Sequence, residues 1–145
     1  MQVSLEGGNA SYRIHAYNTG SITIAIPKQL EAEPEDHQDN SPDLSMWRDT
    51  LKDSFIITPE QVIRHWASNN FEALNSQHFS ELSQYQPEIV LFGSGKTLRR
   101  PSAAMLATLT NAGIGVEVMD TGAACRTYNI LMNDERRVLA ALMMI

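Results

Sequence analysis

Apolar and polar positions alternate twice near the start of the chain. In Tyr12-Arg-Ile-His-Ala-Tyr17, one side carries Tyr12, Ile14 and Ala16 and the other carries Arg13, His15 and Tyr17. Ile22-Thr-Ile-Ala-Ile26 alternates again, after the turn-forming run Asn18-Thr-Gly-Ser21. A period of two on both sides of a short Gly-containing link predicts a β-hairpin. Pro27 closes its second strand, because it has no N–H to give a ladder. Phe55-Ile-Ile57 reads as a further short strand. Thr58-Pro-Glu-Gln61 then offers a cap, a proline suited to a first helical position and a capping-box partner, so a short helix or turn is expected over 59–66. Asn69-Asn70 breaks it, and a second short helix is expected around 77–84, ended by Pro87.

The second half of the chain has longer apolar runs. Glu88-Ile-Val-Leu-Phe92 is continuous, which predicts a strand buried on both faces. After Gly93-Ser-Gly95, a helix starting at Pro101 would turn Ser102, Met105, Leu106, Leu109 and Ala112 inward, with Gly113 as a left-handed cap. Residues 115–119 form the next strand, and Glu117 places it toward the rim of a sheet. Asp120 or Thr121 offers an oxygen to cap the helix that follows, and Gly122 lets backbone approach closely. That helix, 121–132, carries Ala124, Cys125, Tyr128, Leu131 and Met132 on one stripe, with Arg126, Asn129 and Asn133 on the other side. Residues 133–137 turn the chain. The unbroken apolar run 138–145 belongs in the middle of a sheet. Right-handed crossovers make the strands of this β-α-β-α-β segment parallel. The expected fold is a three-layer α/β domain with an added N-terminal β-hairpin, one domain over residues 1–145.

Between hairpin and second half, residues 28–46 change character. Glu31, Glu33, Glu35, Asp36, Asp39 and Asp43 fall there with no Lys or Arg among them, beside Pro34 and Pro42. So acidic a stretch buries too little apolar surface to offset ordering, and it reads as a mobile, solvated insert. Trp47 and Leu51 mark where the chain rejoins the core. The net charge is −6, yet with these six acids set aside the other eleven acids meet eleven Lys and Arg. With no basic stripe to neutralise phosphates, nucleic acid is not the expected partner. No basic region followed by an apolar run opens the chain, and no apolar run is long enough to span a bilayer. A single cysteine allows no internal disulfide. A cytoplasmic setting without direct membrane insertion is expected.

Met119-Asp-Thr-Gly-Ala-Ala-Cys-Arg-Thr-Tyr-Asn-Ile-Leu131, with Pro87-Glu-Ile-Val-Leu-Phe-Gly-Ser-Gly95, resembles the small Mth-type domain family. Its pattern Thr-x-x-Ala-x-Arg-Thr-x-Asn is met by Thr121, Ala124, Arg126, Thr127 and Asn129. The family includes a mitochondrial complex I (NADH dehydrogenase) assembly factor, an adipogenesis-associated protein and many uncharacterised bacterial members. The resemblance implies a mixed central sheet with one strand antiparallel to the rest, and it implies a fold more than an activity. The chain departs from the family in its acidic insert and in Arg100, where members often carry an aromatic before the proline.

No complete catalytic constellation stands out. Gly93-Ser-Gly-Lys-Thr97 suggests a phosphate loop, but the first glycine of that motif would fall at Val90, inside the strand. Cys125 lies on the apolar flank of its helix, where a thiol is usually inert. His, Cys, Asp and Glu show no metal-ligand spacing, and no cofactor is indicated. What remains is a composite. The loop Gly93, Ser94, Gly95, Lys96 and the turn Asp120, Thr121, Gly122 both follow carboxyl ends of strands, the favoured ligand edge of an open α/β sheet. Together with Arg126 these residues predict a shallow, mildly positive cleft backed by free helical N–H groups. Two readings follow. One is a non-catalytic interaction or assembly module whose partner is another protein, such as a membrane-complex subunit or another assembly factor. The other is a small-ligand-binding protein or enzyme that uses the cleft.

Overall fold

The structure, a computed structural model, describes residues 11–33 and 45–145. Among these residues, strands β1 (Arg13–Asn18), β2 (Ser21–Pro27) and β3 (Met46–Leu51) form an antiparallel sheet in the order β1-β2-β3. β1 and β2 are the expected hairpin, and Gly20 takes the positive φ of 82° that its turn requires. β3 is an addition. Trp47 and Leu51 pack on the core as expected, but Asp49 shares their side of the strand and breaks the apolar alternation.

Asp49 is accommodated through Arg64, whose guanidinium lies 3.2 Å from it and 3.0 Å from Glu31. Glu31 also accepts a 2.5 Å hydrogen bond from the Tyr12 hydroxyl. Glu31 was expected to belong to a solvated insert; instead it is part of a polar clasp between the hairpin and the central sheet. Residues 34–44 of that insert lie outside the described residues.

The central sheet contains β4 (Phe55–Ile57), β5 (Val62–Arg64), β6 (Ile89–Gly93), β7 (Gly115–Met119) and β8 (Val138–Leu142). Their order is β5-β4-β8-β6-β7. β6, β7 and β8 are parallel, whereas β4 runs antiparallel to both β8 and β5. One strand thus opposes the other four, and the sheet is mixed. β8 holds the middle with all its residues buried, and β7 lies at the rim with Glu117 exposed.

Residues 59–66 do not make a helix. The Thr58 hydroxyl accepts from the N–H groups of Glu60 and Gln61, and Thr58 N–H donates to the Gln61 carbonyl. The capping chemistry read from the sequence closes a turn, and β-branched Val62 and Ile63 return as β5.

Among the described residues the α-helices are α1 (Ser76–Ser80), which continues as a 3-10 turn to Tyr85, α2 (Ala103–Asn111) and α3 (Thr121–Asn133). Alternation along the strands divides the core into two layers. Phe55, Ile57, Leu91, Ala140 and Leu142 pack against α3 and the N-terminal sheet. Ile56, Val90, Phe92, Leu139 and Ala141 pack against Phe79, Leu82 and Leu109 on the other face. α2 buries a narrower stripe than expected. Leu109 is fully buried and Met105 and Leu106 partly, but Ser102 and Ala112 are exposed. α2 lies over the rim strand β7, and Ser102 serves as its N-cap. Gly113, at a φ of 77°, closes it as predicted.

The N-terminal sheet docks on α3 through side chains reaching the backbone of β1. The Asn129 amide accepts from Ile14 N–H at 2.9 Å and donates to Ile14 C=O at 2.8 Å. The register of β1 shifts beside this point, between Ile14 and Ala16. Tyr128 adds a buried hydrogen bond to the Tyr12 carbonyl at 2.8 Å. Asn129, placed by helical periodicity away from the core, is therefore half-buried and engaged. Replacing it leaves a strand N–H and C=O without partners, so Asn129→Ala should lower stability by about 1–3 kcal/mol in urea titration. An unchanged midpoint would show that the docking rests on apolar packing alone.

Candidate functional site

The carboxyl ends of β6, β7 and β8 meet the start of α3 around two small residues. A Cβ on Gly93 would lie 2.8 Å from Leu142 Cδ2 and 3.1 Å from Thr121 Cα, so only glycine lets α3 begin so close to the sheet. Thr121 is fully buried. Its hydroxyl donates to the Met143 carbonyl at 2.7 Å and accepts from Gly95 N–H at 2.8 Å, while its own N–H donates to the Gly95 carbonyl at 2.9 Å. Ser94 is buried as well. Its hydroxyl donates to the Thr97 carbonyl at 2.7 Å and accepts from Arg99 N–H at 2.9 Å, which winds the loop around it. Gly93, Ser94 and Thr121 are thus the footing of the site and do not line it.

Gly95, Lys96, Asp120, Gly122 and Arg126 do line a common space, an open cleft of about 400 Å³. Its opposite wall is Tyr17, Asn18 and Thr19 at the hairpin turn, together with Ile145. In the sequence, residues 18–19 carry only the signal of a turn. Tyr17, an aromatic on the polar side of an alternating strand, was the one signal that this wall exists.

Arg126 donates to the Tyr17 hydroxyl and stands over the ring, with Cζ 5.9 Å from its centroid. Among the described residues no carboxylate pairs with it, neither Asp120 nor Glu117. Asp120 instead caps α3, accepting from Ala123 N–H at 2.9 Å, so the capping role falls to Asp120 and not to Thr121. The close approach at Gly122 is made by Tyr17: a Cβ there would lie 3.0 Å from Tyr17 Cε2. The expected row of free helical N–H groups is also reduced. Thr121 N–H and Ala123 N–H are taken, which leaves Gly122 N–H.

Cys125 sits under this surface, 1% exposed. Burial pushes its thiol up to about 12, with Asp120 adding to the effect and Arg126 opposing it. A thiol so held is protonated through the neutral range and is a poor nucleophile. Lys96 is exposed, and α2 starts only at Ala103, so the Gly-Ser-Gly-Lys-Thr stretch does not lead into a helix as a phosphate loop would. Among the described residues no cluster of His, Cys, Asp and Glu is placed to hold a metal, and no helix is long and apolar enough to cross a membrane.

A family model described as a protein of unknown function (DUF498/DUF598) matches residues 43–143. The chain belongs to that family. The DUF498/DUF598 match covers β3 through β8 and leaves the hairpin wall of the cleft outside it. Over 88 residues the chain is 33% identical to NADH dehydrogenase [ubiquinone] 1 alpha subcomplex assembly factor 3 of Bos taurus, covering 59% of this chain and 47% of that protein. It therefore spans about half the length of that assembly factor. A crystal structure of a Bordetella parapertussis protein superposes with a TM-score of 0.72 at 26% identity, covering 94% of this chain and 98% of that one. A solution structure from Bordetella pertussis, described as a Mth938-like domain, shares the fold at a TM-score of 0.67 and 23% identity, covering 99% of this chain and 92% of that one. The DUF498/DUF598 fold is thus the Mth-type fold that the motif around Arg126 implied.

The state of Cys125 is testable in two ways. Iodoacetamide should label it only after unfolding. The unfolded thiol ionises near 9.0 and the folded thiol near 12, so above about pH 9 the unfolded chain releases a proton that the folded chain keeps. Stability then falls with rising pH up to about pH 12, and Cys125→Ala should remove part of that decline in urea titrations at alkaline pH. Rapid labelling of the native protein would contradict the buried-thiol assignment.

Proposed function

We propose that this domain is a non-catalytic interaction module that docks another protein at the cleft between the hairpin turn and the ends of β6 and β7. One observation carries the reading. The groups near the cleft that chemistry would need are spent on the fold, whereas its cationic donors point outward. Asp120 caps a helix, Thr121 ties two strand ends together and Cys125 is buried, but Lys96 and Arg126 are exposed. The likeness to an assembly factor named for NADH dehydrogenase supports a partner of the same general kind, a subunit of a larger complex or another assembly factor. Balanced charge outside the acidic stretch supports protein over nucleic acid. The free thiol accords with a reducing compartment such as the cytoplasm.

The volume of the cleft supports a second reading, a small ligand, since ligand pockets commonly span about 300–1,000 Å³. Affinity capture from the native organism at endogenous expression, scored by mass spectrometry, separates the two. Arg126→Lys keeps the charge but loses the planar fork of donors. It should deplete the captured partner while shifting the melting temperature by no more than about 2 °C, because the contact it alters is exposed. Capture of the full wild-type set by the variant removes Arg126 from the docking face, and unfolding of the variant makes it a structural clamp. A retained small molecule with no protein would favour the second reading.

A further inference from the structure

The loop after β6 shows what the partner's contacting surface must be made of. Residues 96–100 are all exposed and bring Lys96, Arg99 and Arg100 together with Leu98, which is half exposed. In a chain of net charge −6, three cations within five residues are a local reversal of sign. The loop holds its shape from within, because the Ser94 hydroxyl bridges Thr97 and Arg99. Arg99 is committed to neighbours, with Cζ 5.7 Å from the Phe71 ring centroid and its guanidinium 3.5 Å from Glu72. Lys96 and Arg100 form no ion pair with any described residue. Arg126 spends one donor on the Tyr17 hydroxyl, which leaves the rest of its five N–H groups for another acceptor. Among the described residues, the side-chain carboxylate lining the cleft is Asp120, and it is turned to Ala123 N–H.

We infer that this face takes an acidic segment of a partner protein, whose carboxylates meet Lys96 and Arg126 in the cleft and Arg100 beside it, with an apolar side chain of the segment on Leu98. The inference rests on the cleft being a protein-docking face and adds the chemistry of the partner. A loop backbone already held in shape needs no ordering when its cations meet carboxylates, and charge complementarity selects such a partner. An anionic membrane is a poorer match. Surface-binding basic segments gather about four to eight Lys or Arg beside an amphipathic helix, whereas here two cations line a concave cleft, Arg100 and one exposed leucine lie beside it, and none of the three cations is ion-paired among the described residues. A single-stranded nucleic acid would need an open aromatic platform, and the Tyr17 ring is packed against Gly122 and under Arg126.

The test uses the full chain and fluorescence anisotropy with three probes. These are a fluorescein-labelled peptide of glutamates around one leucine, the same peptide with glutamine for glutamate, and phosphatidylglycerol vesicles. The glutamate peptide should bind and the glutamine peptide should not. Lys96→Glu and Arg126→Gln should each weaken binding about tenfold. Raising salt from about 0.05 to 0.5 M should weaken it further. Leu98→Ser should weaken it about threefold with the salt response unchanged. All three positions are exposed, and an unaltered urea midpoint confirms that each variant is folded. Equal binding of both peptides, no binding of the glutamate peptide, or binding of vesicles alone overturns the inference. If the glutamate peptide fails while partner capture remains sensitive to Arg126→Lys, the docking reading stands and only the acidic partner is lost. Loss of Arg126-dependent capture removes the docking reading itself.

Discussion

The two hydrogen bonds between the Asn129 amide and Ile14 decide where the N-terminal sheet lies. A carboxamide presents one acceptor and one donor side by side, as the next strand of a ladder would. α3 thus binds β1 as though it were a strand edge, at the point where the register of β1 shifts. From there the hairpin has little freedom. Tyr128 fixes the start of β1 through the Tyr12 carbonyl, and Tyr17 at its other end comes down on Gly122 and Arg126. The opposite wall of the cleft is in this sense a result of one asparagine on a helix. Asn129 belongs to the same motif as Arg126, so the residue that builds the wall and the residue that faces it lie one turn apart.

A second constraint acts at the footing. Gly93 and Thr121 bring α3 into contact with the ends of two strands, and the Thr121 hydroxyl satisfies polar groups from both. Buried donors and acceptors left open at that junction would cost more than the contacts return. The arrangement also explains the split among residues that the sequence grouped together. Those that hold the junction are buried, and those displaced one position along the loop or helix reach the cleft.

How much of this could be read from residues alone depended on where the physical signal was local. The apolar runs of β6 and β8 and the stripe of α3 placed the second half of the chain, its parallel strands and the rim position of β7. β3 escaped because Asp49 occupies a core-facing position that only the distant Arg64 makes tolerable. β5 was obscured because Thr-Pro-Glu-Gln satisfies the chemistry of a turn as well as that of a helix start. Five of the eight residues proposed for the cleft do line it, because the end of a parallel sheet is where loops and helix starts must converge. Tyr17, Asn18 and Thr19 depend on a docking event more than a hundred residues away in sequence, and no local pattern reports such contacts.

The two rims of the central sheet carry a consequence of their own. β5 is three residues long, and β7 exposes Glu117 at its centre. A short strand offers few free backbone groups, and a carboxylate on an outer strand discourages another chain from pairing beside it. The sheet is therefore closed to strand addition at both sides. At these two rims another chain would be met through side chains and not through an added strand.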